Sequence, residues 1–291
     1  MLPRLLLLTA LYLTASGAIS AQITAAKVSV PAQFASGATR MHVKGLNGWM
    51  INQKLSFGTY QTSKIRRGWD FTSSVQWTKM RISPEEMILR VFNVETDKRN
   101  LAQRNKFQYT VTDGTGAAEV YATEKFKENQ LVYKSNNPHI GQVSATRGYE
   151  YAFTAAILPL GEKDNDPWSL VLINRYDRGK DTAHRLFDRP YVEEEGYATN
   201  GKENIAIRPL RLESVTTRSG KDKKVFGGPL LSGYEIQWDG GVVAIVDILD
   251  NNVWIYNDLE PSEKLLLSTI ASAILLKRMQ DVEKDKDDIL D

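Results

Sequence analysis

Cysteine is missing from all 291 residues, which removes disulfide frameworks, thiolate zinc sites, iron–sulfur clusters and cysteine nucleophiles as explanations of the chain. Histidine is scarce. The three, His42, His139 and His184, are scattered and none has a second histidine at ligand spacing, so no metal site is expected. Neither sign of charge dominates: 37 basic and 35 acidic side chains give a formal net charge of +2, far short of the excess that marks a general nucleic-acid binder. No Asn-x-Ser/Thr acceptor and no Gly-x-Ser-x-Gly elbow occur. Long apolar runs are lacking too. The two strongest, 5–13 and 265–276, are shorter than the about 20 residues a bilayer core requires, so no transmembrane span is expected in the mature chain.

What is present is the composition of a packed protein, 42% hydrophobic and 25% charged, too apolar for a disordered chain. The first 21 residues have the order of a secretory signal: Arg4, the apolar run 5–13, then the small residues Ala18, Ser20 and Ala21. Mature protein is expected to begin near Gln22, without the cysteine a lipoprotein anchor needs. An exported chain that has given up disulfides and glycosylation acceptors points to a bacterial envelope, periplasmic or at the cell surface or beyond it in a Gram-negative organism. A chain of this length can bury a sufficient core without covalent staples.

After a small-residue leader, 22–40, the texture is that of short antiparallel strands. Residues 87–94 are apolar and aromatic. Phe107, Tyr109 and Val111 alternate with Gln108, Thr110 and Thr112, Asp113-Gly114-Thr115-Gly116 supplies a turn, and 118–122 returns as a partner. Further strands are expected around Tyr149 to Phe153, at 169–173 after the turn-like Asp164-Asn165-Asp166-Pro167, and at 205–212, where Pro209 breaks or edges the strand. Residues 218–222 resemble a solvated loop. Tyr234, Ile236 and Trp238 then alternate with polar residues, Asp239-Gly240-Gly241 turns the chain, 242–248 runs back, and 250–252 turns it into 253–256, making a meander. The stretch 126–147, with Asn136-Asn137-Pro138, is the best boundary between two halves of a domain spanning 41–276.

One helix is clear. Asp258 or Glu260 can cap it, Pro261 suits its first turn, and Glu263 suits the positive end of its dipole. Nine of the twelve residues 265–276 are Leu, Ile or Ala and surround the helix, interrupted by Ser268, Thr269 and Ser272. A helix apolar on nearly every side must be buried on nearly every side. Lys277 and Arg278 complement its C-terminal dipole, and 277–291 reads as a charged tail. The fold expected is mainly β, an antiparallel barrel or sandwich with a buried hydrophobic C-terminal helix.

A meander ending in Val253-Trp254-Ile255, an acidic turn with proline and an apolar helix, in that order, resembles the C-terminal part of the tubby-like superfamily with its phospholipid scramblase branch. The resemblance implies about twelve strands around the helix, and lipid headgroup or membrane-surface binding. It covers roughly the last 60 residues, and no binding residue is transferred from it. Separately, the segment from Trp49 to Trp69 is similar to segments of uncharacterised exported bacterial proteins.

Chemistry-bearing motifs are few, and none calls for a cofactor. Residues 196–202 match the start of a phosphate-binding loop, but Glu203 stands where a magnesium-binding hydroxyl is required and would repel phosphate. The Asp164 to Asp166 oxygens lack calcium-loop spacing. His184, between Asp181 and Asp188, can be drawn as a carboxylate-oriented base, although the charged residues around it equally make a loop of internal ion pairs. The remaining constellation interleaves aromatics and cations from Trp49 to Arg81, with Trp49, Arg66, Arg67 and Trp69 as candidate ligand contacts. Aromatic faces stack on sugars, and guanidinium groups pair with carboxylate or phosphate; alternation could instead put the rings in the core and the cations in water. The function expected is an exported, non-catalytic binding or structural module for an anionic, glycan or lipid ligand of the envelope. The alternative is a hydrolase of an envelope polymer that uses carboxylates and His184.

Overall fold

The computed structural model describes residues 28–47, 52–68, 106–134, 142–161, 166–177, 192–216, 221–225 and 227–290. The candidate signal segment, the expected strand at 87–94, and Trp49, Trp69, His139 and His184 lie outside them. The chain is mainly β. Its strands are β1 (Ala38–His42), β2 (Ser56–Phe57), β3 (Tyr60–Thr62), β4 (Arg66–Arg67), β5 (Lys106–Thr112), β6 (Ala117–Lys134), β7 (Gln142–Leu160), β8 (Trp168–Asp177), β9 (Val192–Thr199), β10 (Asn204–Leu212), β11 (Ser214–Thr216), β12 (Asp222–Lys224), β13 (Leu230–Trp238), β14 (Gly241–Asp247) and β15 (Asn252–Tyr256). They precede a C-terminal helix, Pro261–Leu290.

All strands but β11 and β12 join one antiparallel sheet in the order β1-β15-β14-β13-β10-β9-β8-β7-β6-β5-β3-β2, with β4 also on β5. The two ends of this path meet at a single pair just beyond β1, where Lys44 and Ser56 exchange backbone bonds of 2.9 and 3.1 Å. The result is a nearly closed barrel. Gly45 makes that seam feasible: its φ is +80°, and a Cβ there would stand 2.0 Å from the Lys54 carbonyl oxygen.

Period-two patterning places the core. Phe107, Tyr109 and Val111 of β5, Phe153, Ala155 and Ile157 of β7, and Leu170 and Leu172 of β8 face the interior, where the helix residues from Leu265 to Leu276 fill it. The helix is buried as its all-round apolarity requires, with Leu267, Ile270, Ala271 and Ala273 at 0% exposure. At its start the Glu263 carboxylate reaches back to accept the Glu260 amide at 2.8 Å, and the Lys264 amide makes a backbone helical bond to the Glu260 carbonyl at 3.0 Å. Inside the barrel two of the three hydroxyls are hydrogen-bonded, while the Ser268 hydroxyl is buried without a hydrogen-bond partner among the described residues. Thr269 donates to the Leu265 carbonyl at 2.7 Å, Ser272 donates to the Thr269 carbonyl at 2.8 Å, and the Ser272 and Tyr109 hydroxyls are 2.9 Å apart.

Three boundaries differ from the sequence expectation. The leader region contributes to the fold from Val28 onward. Val28 and Phe34 pack with Ile245 outside the barrel, Phe34 stacks on Tyr256, and β1 pairs with β15. On either side of the expected boundary within 126–147, β6 and β7 pair from Ala117 and Leu160 to Lys134 and Gln142, interrupted only by a register shift at Asn129/Gln130. Lys277 is a barrel residue at 6% exposure, and the helix backbone runs on to Leu290. Pro209 sits in an internal strand, tolerated because the last β9–β10 pair is Ile207 with Gly196. Beyond it the Arg211 guanidinium takes over, donating to the Val192 carbonyl at 2.6 Å and to Glu194 at 2.9 Å.

Candidate functional site at the helix-entry mouth

Where the helix enters the barrel, three turns stand around its first residues. In the β5–β6 turn, Asp113 Oδ1 accepts from the Thr115 amide at 2.8 Å, the Thr115 hydroxyl at 2.8 Å and the Gly116 amide at 2.7 Å. Burial raises the Asp113 carboxyl, but the bonds from Gly116 and Thr115 outweigh it and hold the group below its ordinary value, so it is ionised. In the β9–β10 turn, Asn200 Oδ1 accepts the amides of Lys202 at 2.9 Å and Glu203 at 2.8 Å, and its amide nitrogen donates to Glu203 Oε2 at 3.0 Å. The phosphate-loop match at 196–202 is therefore a strand end and its hairpin. Third, Asp166 precedes β8, and its Oδ2 meets Lys202 Nζ at 2.7 Å in an exposed ion pair.

Between these turns and the helix lies an open cavity of about 610 Å³. Its wall is apolar, with Ile157, Leu160, Trp168, Trp238, Leu265 and Leu266, and its rim carries Asp113, Asp166, Lys202, Glu203 and Glu263. Trp168 and Trp238 meet edge to face, 5.6 Å between centroids at 76°, a favoured aromatic geometry. Each rim carboxylate holds something in place: a turn (Asp113), a lysine (Asp166), an asparagine (Glu203) or the helix start (Glu263).

At the other end of the barrel the helix closes on a polar floor. Lys277 Nζ donates to the Tyr234 hydroxyl at 3.1 Å and lies 3.5 Å from Asn174 Oδ1, with the rings of Tyr151 and Tyr234 centred 5.2 and 5.6 Å away. A desolvated ammonium between two aromatic faces is a favourable contact.

The aromatic and cationic run divides. Tyr60 is buried in the core and Lys64, Arg66 and Arg67 are exposed. Arg66 and Lys64 line a wall cleft of about 170 Å³ with Gln108, Thr110, Glu119 and Tyr121, whose hydroxyl donates to Glu119 at 3.0 Å. Arg67, paired with Phe107, is not part of the cleft. His42 Nδ1 lies 3.2 Å from Asn252 Oδ1 in the β1–β15 ladder. Among the described residues no group of three His, Asp or Glu side chains is arranged to hold a metal, and no helix is long and apolar enough to cross a membrane.

Sequence reasoning missed the mouth. Asp164 to Pro167 and 196–202 were legible as separate turns, but what joins them is the β8–β9 register, Ser169 with Thr199, which sets Asp166 beside Lys202. Comparison with protein-family models, curated proteins and solved structures finds no match to this chain.

Proposed function

We propose that this chain is an exported binding module of the bacterial envelope that holds a lipid or glycan ligand at the helix-entry mouth and does no chemistry on it. One observation carries the proposal: an open cavity of about 610 Å³ pairs an apolar, tryptophan-bearing wall with a polar rim, the combination by which small-molecule sites bind and orient ligands. A glycoside hydrolase of the two-carboxylate kind needs a carboxylic acid kept protonated near neutral pH. At this rim every carboxylate among the described residues is tied into a turn, an ion pair or a cap, and Asp113 is held ionised. The tubby-like resemblance, a strand barrel around an apolar helix, supports the lipid side of the proposal.

The test uses the mature chain with lipid and glycan fractions of a bacterial envelope. Binding should perturb the fluorescence of Trp168 and Trp238 and return the ligand with unchanged mass. A ligand recovered cleaved would replace this proposal with the hydrolase, and no response from either fraction would end it. Export is checked on the native protein, whose periplasmic or secreted form should start at Gln22.

A second proposal, an anionic ligand on the barrel wall, is favoured by the side-by-side Lys64 and Arg66 in their cleft. Arg66→Ala should abolish retention on an anionic polysaccharide if that site operates, and unchanged retention removes it.

A further inference from the structure

We infer that the mouth is built for an amphiphile with an uncharged sugar head, its hydroxyls donating to the rim and its apolar part lying on the tryptophan and leucine wall. The inference rests on the mouth being the ligand site. The first observation is a set of unused acceptors. Asp166, Glu203 and Glu263 each commit one oxygen, to Lys202, Asn200 and the Glu260 amide. Their other oxygens make no hydrogen bond among the described residues. Those acceptors belong to side chains held by their own partners around one cavity, so little ordering is left for a ligand to supply. Several donors spread around a ring match them, and a polyol has that form.

Charge then discriminates between head groups. Among the described residues, Asp113, Asp166, Glu203 and Glu263 face a single rim cation, Lys202, which is already paired, so a phosphate or sulfate head meets net repulsion from them. A quaternary ammonium is attracted by the same negative rim, but it has no N–H to give the three acceptors, so it would be held only by charge at an open, solvent-screened mouth. The apolar side is set by Trp238, Leu265 and Leu266, where a free sugar without a chain would leave the wall uncovered. The volume, about 610 Å³, lies within the roughly 300–1,000 Å³ of ordinary small-molecule pockets.

The experiment titrates the mature chain, by tryptophan fluorescence and calorimetry below micelle formation, with octyl glucoside, octyl sulfate, octyltrimethylammonium and methyl glucoside. Octyl glucoside should bind about tenfold or more tightly than either charged octyl probe, the difference expected from hydrogen bonds to charged acceptors, and tighter than methyl glucoside. Two variants at exposed positions locate the site: Ser262→Trp fills the mouth from the first helix turn and Glu203→Ala removes one acceptor, and both should weaken octyl glucoside while keeping the melting transition. A charged octyl probe that equals or exceeds octyl glucoside overturns the sugar head and leaves the mouth as a ligand site. No octyl binding, or binding indifferent to Ser262→Trp, overturns the mouth itself.

Discussion

Ser268, Thr269 and Ser272 interrupt the apolar helix, and the last two show how polar atoms are tolerated in a dry core. Thr269 satisfies itself on its own helix backbone, and Ser272 bridges the Thr269 carbonyl and the Tyr109 hydroxyl. Ser268, one turn away from Ser272, faces Tyr60, whose ionisation burial pushes up and the Ser268 hydroxyl partly relieves. Burial likewise raises Tyr109 far above its ordinary value, with Ser272 as a small opposing influence. Both tyrosines are therefore held neutral by the fold. A group raised in the folded state contributes stability that is complete below its unfolded value, here 10.0, and is lost as pH climbs beyond it. Urea unfolding should accordingly show a steep alkaline loss above pH 10. Tyr109→Phe should cost about 1 kcal/mol at neutral pH, because Ser272 keeps its carbonyl partner, and should flatten the alkaline loss. An unchanged alkaline limb in that variant would contradict the assignment.

Among the elements, the helix and the β5–β6 hairpin were the most legible, each for a stated local reason. Asp113 accepts three bonds in its turn and Gly114 takes φ +94°, and the nine apolar residues of 265–276 leave the helix no solvent face. The meander was legible for the same kind of reason, with Asp239 and Gly240 at φ 50° and 78°. What resisted was anything decided by pairing rather than by turn chemistry. Asn136-Asn137-Pro138 carries every local mark of a boundary, yet the ladder on either side of it continues to Lys134 and Gln142. The leader has no strand alternation of its own, and Ala38–His42 becomes β1 because β15 offers it an edge. The helix also bears a prediction. Ile270→Asp buries a charge with no partner and should give no soluble, cooperatively melting protein, whereas Ile270→Val should cost only about 0.5–1.5 kcal/mol. A folded Asp variant would place Ile270 at a surface.

For the molecule as a whole, the site was less legible than the fold. Arg66 does line a cleft, but the larger cavity is assembled from three turns and a helix start whose residues span Asp113 to Leu266, and only the completed register brings them together. The barrel depends just as much on its seam. Replacing Gly45 with Ala sets a Cβ against the Lys54 carbonyl in a left-handed backbone, at about 1–3 kcal/mol. The cost should fall on closure: by hydrogen exchange, the Lys44 and Ser56 amides should lose protection before those of β7 and β8. Uniform loss, or none, would show that the seam is not a separately opening unit.

That seam also dictates when this molecule can be finished. Among the described strands β1 finds its neighbour only in β15, and Thr39 reaches Asn257 across 218 residues, while the filling of the interior comes later still. A nascent chain emerging from the ribosome thus carries an orphan first strand and a hollow sheet with raw edges until β15 and the helix are free, a state prone to sticking to its own copies. Such wiring postpones closure of the barrel until β15 and the helix have both been made.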